Sequence, residues 1–233
     1  MNVITRLEDV RPGDIFLGPI GGGLGAAIRA AQIIVDGGWR VGPLHVEHIG
    51  IVVEASRTEG PSGEWPTGVI TAPRMVQAMP GGAEEIALSY DRHWTPKVAY
   101  ARIPEDYPGQ AADAAAIARL MVREKVRYSF GSYGALALYH WGYQAPRLTK
   151  WIGRRRPFQM IDTQAPLTGG RHGIALPMEA ICSVLADQCW SLAGKRVMEG
   201  TAPQAVTPSQ LGQRLLTGMD GVIWGWPSRY PHP

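Results

Sequence analysis

The segment HIGIVVEA, residues 48–55, places the strongest constraint on the fold. In an extended strand, alternate side chains point to the same face. One face therefore carries His48, Gly50 and Val52, and the other carries Ile49, Ile51 and Val53. Because apolar residues occur on both faces, we predict a central strand that is covered on both sides.

The order of the other elements predicts an α+β fold. Strand-forming residues predict strands at 15–17, 74–80 and 97–103 in the first half of the chain. Helical patterns predict helices at 25–36, 110–126, 133–141, within 177–194 and from Pro208 onward. Strands followed by helices argue for an α+β fold and against alternating βαβ units.

The chain length is compatible with a single domain. The 233 residues include 45% hydrophobic and 18% charged residues, an ordinary globular composition. We predict one domain over residues 1–233, with an irregular insertion at about 142–176, where Gly, Pro and Arg are frequent. Such long irregular segments often serve function, so we expect the insertion to lie near the site.

Charge gives little support for a nucleic-acid partner. The formal net charge of +3 is small for this length, and the one dense basic cluster is Arg154–Arg156. We interpret this cluster as a solvated loop. The alternative is contact with phosphate or another acidic polymer, which Arg forks can bind.

Neither export nor membrane insertion is predicted. Charged residues from Arg6 to Asp14 interrupt the N-terminal segment, which therefore lacks the apolar core of a signal peptide. Nor does the chain contain a run of about 18 apolar residues. We therefore expect a soluble protein that is made in the cytoplasm.

Two binding motifs are incomplete. The segment GGGLGA, residues 21–26, has the spacing of a dinucleotide-binding loop, but it lacks the acidic residue and the second βαβ unit expected downstream. His45 and His48 are three residues apart, which in a strand directs them to opposite faces. The sequence therefore predicts no cofactor and no metal site, and His45 is interpreted as an ordinary polar residue.

The two cysteines, Cys182 and Cys189, are predicted to lie on one helix, with Pro177 near its start and Glu179 in its first turn. Seven helical residues separate them by about 10 Å, which is too far for a disulfide. Both are therefore expected to remain thiols.

Cys182 and His48 form a candidate nucleophile and base. The start of a helix favours a thiolate, and an adjacent imidazole would complete an activated nucleophile. Gly50 leaves room beside His48, which we expect the start of the cysteine helix to occupy. The alternative is that Cys182 is a small buried apolar residue.

A series of short motifs spans nearly the whole chain in a fixed order: RPGDIFLG, HIGIVVEA, MVQAMPGGAEEI, YSFGSYGAL, ICSVLAD and VTPSQL. This series resembles the circularly permuted, papain-like branch of the NlpC-type cysteine hydrolases, to which the lecithin retinol acyltransferase-like proteins are related. The resemblance implies a permuted papain-like fold, with a small, mainly antiparallel sheet packed against helices, in which the histidine strand precedes the cysteine helix.

The resemblance also implies roles for individual residues. Cys182 matches the nucleophile and His48 the histidine of the family. Gln77 falls at the third, polar position, where many relatives carry an acid; glutamine can orient an imidazole but cannot offset its charge. Tyr128 is a candidate pocket residue. Asp14 is expected to be structural, and Cys189 has no counterpart in the motif.

The function implied is cysteine-dependent acyl hydrolysis or transfer, for example by a peptidase or amidase that acts on cell-wall peptide or on related amides and esters. Without an export signal, access to the wall would need a phage particle, a lysis pore or a dedicated secretion device. The alternative is an inactive papain-like copy that serves as a binding or structural module in a larger assembly, an interpretation motivated by Gln77 and by the enlarged loop at 142–176.

Overall fold

The structure is a computed structural model of the 233-residue chain. It describes residues 4–36, 40–41, 44–59, 69–128, 158–162, 173–177, 179–199 and 206–225. The elements below are numbered in chain order within these ranges.

The main sheet contains six strands, each antiparallel to its neighbours. Their order across the sheet is β14 (Ile223–Gly225), β9 (Ala99–Arg102), β1 (Ile15–Gly18), β4 (His48–Glu54), β7 (Arg74–Met79) and β8 (Gly82–Ala87). Four short pairs accompany it: β2 (Arg40–Val41) with β3 (Leu44–His45), β5 (Arg57–Glu59) with β6 (Val69–Thr71), β10 (Arg127–Tyr128) with β13 (Glu179–Ala180), and β11 (Phe158–Asp162) with β12 (Gly173–Pro177).

The described helices are α1 (Gly22–Asp36), α2 (Tyr90–His93), α3 (Gln110–Arg123), α4 (Cys182–Leu192) and α5 (Pro208–Gln213). A short 3-10 helix, Leu7–Asp9, precedes the sheet, and a π-helical turn, Arg214–Gly218, extends α5. Among these helices none has the length and apolar composition needed to cross a bilayer.

The sheet is covered on both faces, as the double-sided apolar pattern of β4 predicted. One face carries Ile49, Ile51 and Val53 and packs in the main apolar cluster with α3 and α4. The other face carries Val52 in a second cluster, which also contains Phe16 and Tyr100 and buried residues from the N-terminal segment. The prediction of an α+β fold with a mainly antiparallel sheet is confirmed.

Helix α3 forms where the sequence predicted it and packs against α4 and β4. Its buried face contains Ala114, Ile117, Ala118 and Met121, which recur at helical spacing. The alanines allow a close approach to neighbouring elements, and each large apolar side chain stabilises the fold by roughly 1.5–3 kcal/mol on burial. The helix thereby helps to hold α4 against the sheet.

The predicted start of the cysteine helix is wrong. Pro177 lies in β12 and Glu179 lies in β13, so α4 begins only at Cys182. The pairing of β13 with β10 holds Glu179 in an extended conformation that its local helical signal did not predict. As a result, Cys182 is the first helical residue.

Three further differences concern strands and helix bounds. Strand β8 was not predicted because its charged residues, Glu84 and Glu85, obscure the alternation of an edge strand. Residues 223–225 form an edge strand, β14, where no element was expected. Helix α1 starts at Gly22, three residues earlier than predicted.

The segment 142–176 is not irregular throughout, because β11 and most of β12 lie within it and pair as an antiparallel hairpin. The rest of that segment, including Arg154–Arg156, lies outside the described residues, as does the helix predicted at 133–141.

Candidate active site

His48 is the first residue of β4, and its side chain is only 3% exposed. Strand alternation places it on the face of the second cluster, and its ring lies edge-on to Phe16 with 6.4 Å between the ring centroids. The imidazole is therefore enclosed mainly by apolar groups.

Gln77 lies beside His48, as the resemblance to the hydrolases implied. The pairing of Gly50 with Gln77 aligns β7 with β4, and the distance from Gln77 Oε1 to His48 Nε2 is 2.7 Å. Gln77 is itself largely buried, at 8% exposed. The structure therefore brings two of the predicted site residues into direct contact.

Glu84 extends this contact to the next strand. It pairs with Gln77 across β7 and β8, and its Oε1 accepts a hydrogen bond of 2.7 Å from Gln77 Nε2. The three side chains form one row across three adjacent strands, which we call the His48–Gln77–Glu84 relay. Its outer member, Glu84, is exposed at the edge of the sheet.

The relay determines which ring nitrogen of His48 carries the proton. A carboxylate accepts but does not donate hydrogen bonds, so the amide nitrogen of Gln77 must face Glu84. The amide oxygen then faces His48 Nε2, which must be the donor. The neutral imidazole thus carries its proton on Nε2 and presents a lone pair at Nδ1.

The Nδ1 atom is buried and has no hydrogen-bond partner among the described residues. Burial lowers the pKa of His48 to about 4, an effect that the Gln77 hydrogen bond opposes in part and a positive charge on nearby His93 would reinforce. At neutral pH the ring is therefore an uncharged base with an unused acceptor atom. Buried polar atoms without partners are rare and often occur at functional sites.

Two local contacts place the start of α4 at the His48 end of the sheet. Ala83 N donates to Val126 O at 2.8 Å, which sets β10 beside the start of β8. Tyr128 of β10 then pairs with Ala180 of β13, two residues before Cys182. The start of β8 pairs with the end of β7, next to which β4 begins.

The far end of α4 lies at the opposite end of β4. Trp190 Nε1 donates to Gly13 O at 3.1 Å, and Gly13 N donates to Val52 O at 2.8 Å. Helix α4 therefore runs in the same direction as β4. Cys182 lies beside the beginning of the strand, where His48 is located.

The expected hydrogen bond between Cys182 and His48 is not formed in this structure, because Nδ1 of His48 has no partner among the described residues. Cys182 is buried in the main cluster with α4, whereas strand alternation directs His48 to the other face of the sheet. The two side chains therefore lie at the same end of the sheet but on opposite faces.

The expectation that the start of the cysteine helix fills the space beside Gly50 is wrong. A Cβ atom at Gly50 would lie 2.8 Å from the sulfur of Met75 and 3.2 Å from Val76 O. The side chain of Met75, on the adjacent strand, therefore occupies this space, and it is the reason why position 50 must be a glycine.

Tyr128 is buried, at 8% exposed, and its backbone lies against the segment that leads into Cys182. The segment that leads into α5 supports the same region, because Ser183 Oγ donates to Val206 O at 2.6 Å. Thr207 caps α5 by accepting from Gln210 N at 3.1 Å. The VTPSQL motif thus contributes to the position of the first turn of α4.

Cys189 lies within the core, fully buried, and no disulfide joins it to Cys182. Burial raises the pKa of its thiol, and the nearby carboxylate of Asp187 acts in the same direction. A thiol in this environment stays protonated and unreactive. The prediction that Cys189 contributes only to packing agrees with this position.

Glu84 is the site residue that sequence reasoning missed. The PGG segment at residues 80–82 predicts a hairpin, and with Pro80 and Gly81 as the two turn residues, Gln77 and Glu84 each lie three positions from the turn. Their pairing could have been found from that signal. Among the described residues, no group of three His, Cys, Asp or Glu side chains is arranged to hold a metal ion.

The glycine-rich segment 21–26 does not belong to a dinucleotide-binding unit. Although β1 precedes it and α1 contains most of it, β4 pairs with β1 in the antiparallel direction. A dinucleotide fold needs parallel strands at this position. Comparison of the chain with known protein families, curated proteins and solved structures finds no match.

Proposed function

We propose that this protein is a cysteine-dependent acyl hydrolase or transferase with a permuted papain-like fold. Cys182 is its nucleophile, His48 its base, and Gln77 the residue that orients the base. The observation that carries this proposal is the buried, unpartnered Nδ1 lone pair of His48 at the end of the sheet where α4 begins.

The position of Cys182 at the start of α4 supports its role. The first N–H groups of a helix have no intrahelical acceptor, and the helix dipole favours negative charge there. These groups can stabilise a thiolate and, during reaction, the oxyanion formed from a carbonyl. Neither function needs a cofactor or a metal.

The reaction uses His48 Nδ1 as a proton carrier. Nδ1 takes the thiol proton as the sulfur attacks the carbonyl carbon of an amide or ester. The bond to the leaving group then breaks, and the amine or alcohol leaves with the proton from Nδ1. Water gives a proton to Nδ1 and attacks the thioester, which releases the acid and restores the thiol. Another acceptor in place of water gives acyl transfer.

Because the thiol and Nδ1 are not hydrogen-bonded in the structure, this reaction requires them to meet when substrate binds. Hydrogen bonds in catalytic sites are often completed only in the substrate complex. A His48 pKa of about 4 further implies that the imidazole is neutral at rest. We therefore expect no stable thiolate–imidazolium pair in the protein without substrate.

The proposed substrates are peptides of the bacterial cell wall or related acyl amides and esters, the classes that the resemblance implies. For a wall substrate we propose delivery with a phage particle, through a lysis pore or by dedicated secretion. Incubation of the purified protein with wall peptides and with acyl esters separates these classes. Cys182→Ala should abolish turnover, whereas Cys189→Ala should retain it.

A more direct test measures alkylation of each cysteine by iodoacetamide at neutral pH, followed by mass spectrometry of the two cysteine peptides. We expect Cys182 to react faster than Cys189, and His48→Ala to slow Cys182 by on the order of 10²-fold. His93→Ala is the matched control, because it removes a second histidine beside Phe16 and should leave the Cys182 rate unchanged. Equal and slow labelling of both cysteines would refute the proposal.

The second candidate function is a catalytically inactive module within a larger assembly. The missing thiol–imidazole hydrogen bond and the low pKa of His48 favour it. In that case the wild type, like Cys182→Ala, leaves every hydrolysis rate at the level of the buffer control. Labelling of Cys182 should then also be insensitive to His48→Ala.

A further inference from the structure

Glu84 has a role that neither the motif nor the proposed chemistry assigns. It lies on β8, one strand beyond Gln77, and makes no contact with His48 that the structure records. Its hydrogen bond to Gln77 nevertheless decides how the Gln77 amide is oriented. We propose that Glu84 is a positioning residue that holds His48 in the form with its proton on Nε2 and its lone pair on Nδ1.

The donors and acceptors along the row are compatible with one orientation of the Gln77 amide. A glutamine side chain can present either its oxygen or its NH₂ group to a neighbour, since the two ends have nearly the same shape. With the NH₂ group toward His48, the amide would donate to Nε2 and force the proton onto Nδ1. The oxygen of the amide would then face the Glu84 carboxylate, so two acceptors would meet at 2.7 Å.

Burial of His48 and Gln77 increases the free-energy cost of reversing the Gln77 amide. Both His48 and Gln77 are at most 8% exposed, so neither side chain can exchange its partner for water at little cost. Glu84, by contrast, is exposed and loses little solvation by holding the Gln77 amide. A surface carboxylate therefore controls the proton position of a buried ring two strands away.

This part of the inference rests on the proposed function. For that function, Glu84 fixes the orientation of the Gln77 amide, which Gln77 alone does not fix. Gln77 can accept from Nε2 but does not itself select that arrangement. An acid behind the glutamine selects it and adds a negative charge at the outer end of the row. The opposite tautomer would place a proton on Nδ1 and leave no base for the Cys182 thiol.

The test is nitrogen NMR of the full-length protein labelled with ¹⁵N-histidine, with the His48 signals assigned by their loss in His48→Asn. We expect the wild type to show a proton on Nε2 and a bare Nδ1. Glu84→Ala should convert this single form into a mixture of both tautomers. Glu84→Gln, which can turn either end of its amide toward Gln77, should also give a mixture.

Glu85→Ala is the matched control, because Glu85 is the next residue of the same strand and bonds instead to Arg74 and Arg119. It should leave the His48 tautomer unchanged. Thermal unfolding of each variant checks that it is folded, and Glu84→Gln replaces Glu84→Ala if the latter is not. An unchanged Nε2–H form in both Glu84 variants would overturn the inference, as would an Nδ1 proton in the wild type.

The outcome is separable from that of the proposed function. If Cys182 labels no faster than Cys189 while Glu84→Ala still produces mixed tautomers, the hydrolase proposal fails and the positioning role of Glu84 stands. If Cys182 is selectively reactive but both Glu84 variants retain one tautomer, the positioning role fails and the hydrolase proposal stands.

Discussion

Two buried polar clusters lie at opposite ends of β4, and they differ in how completely their atoms are paired. At the far end, the carboxylate of Asp14 accepts from Arg102 Nε at 2.8 Å, from Arg102 Nη2 at 2.7 Å and from Arg11 N at 2.8 Å. At the near end, the His48–Gln77–Glu84 relay leaves Nδ1 of His48 without a partner among the described residues.

The difference separates a structural cluster from a candidate reactive one. In the first, a bidentate ion pair satisfies both carboxylate oxygens, and Arg102 Nη2 also donates to Asp9 O at 2.8 Å. This agrees with the expectation that Asp14 is structural. In the second, the two hydrogen bonds of the row fix the proton on His48 Nε2 and leave Nδ1 as an available acceptor. Buried acceptors of this kind are costly to stability and are therefore informative about function.

The largest expected effect comes from breaking the fully paired cluster. Arg102→Met leaves the Asp14 carboxylate buried without its counter-charge, and burial already raises the pKa of Asp14. Removal of one partner from a buried ion pair typically costs about 3–5 kcal/mol. Urea unfolding at pH 7 should detect this loss.

Arg92→Met is the control for that experiment, since Arg92 is highly exposed and 4.0 Å from Asp91. It should change the free energy of unfolding by less than about 0.5 kcal/mol. Similar losses in the two variants would mean that Asp14 and Arg102 do not form the structural pair described here.

The second effect is the pH dependence that His48 confers on stability. Its pKa is about 4 in the folded protein, below the ordinary histidine value of 6.5. As the pH falls from 6.5 toward 4, the unfolded chain therefore binds a proton before the folded one does. Stability from this group is present above pH 6.5 and is lost through that window, by at most about 3 kcal/mol.

Unfolding free energies measured between pH 7 and pH 4 test this expectation. His48→Gln should have a shallower loss than the wild type, whereas His93→Gln, at a half-buried histidine whose pKa burial also lowers, should change the slope less. Parallel curves for the wild type and His48→Gln would contradict the burial and neutrality of the His48 ring.

The smallest effect comes from exchanging the acid and the amide within the relay. In the double variant Gln77→Glu/Glu84→Gln the row keeps one carboxyl group and one amide, but the carboxylate now contacts His48 directly. We expect the pKa of His48 to rise by about one unit, because a neighbouring negative charge stabilises the imidazolium. Titration of the His48 ring signals by NMR measures the shift.

The single variant Gln77→Glu is the comparison for this exchange. It sets two carboxyl groups at the 2.7 Å separation now occupied by an amide and an acid, so it should be less stable than the double variant. If the double variant leaves the His48 pKa unchanged, the order of groups in the row does not control the ring.

Much of the fold was accessible from local pattern. The alternation in β4 predicted a strand covered on both faces, and the spacing of Ala114, Ile117 and Met121 predicted α3. The predictions failed where a distant segment decides the conformation. Glu179 is extended because β13 pairs with β10, and Ile223 joins the sheet because β9 offers an open edge.

The candidate site was predicted in part for the same reason. Motifs identified His48, Gln77 and Cys182, and the structure brings the first two into contact. Glu84 was missed because its contribution depends on hairpin register rather than on a motif. Whether Nδ1 of His48 is a free acceptor depends on burial and on the orientation of the Gln77 amide. Neither property can be read from the residue type at a single position.

The pairing of Tyr128 with Ala180 has a further consequence for how the chain can vary. It joins two segments that are far apart in sequence, so the position of Cys182 depends on this junction and not on the length of chain between them. Closing a longer flexible loop costs only about 0.6 kcal/mol for each doubling of its length. Insertions or deletions between the two strands can therefore be accommodated while Cys182 keeps its position.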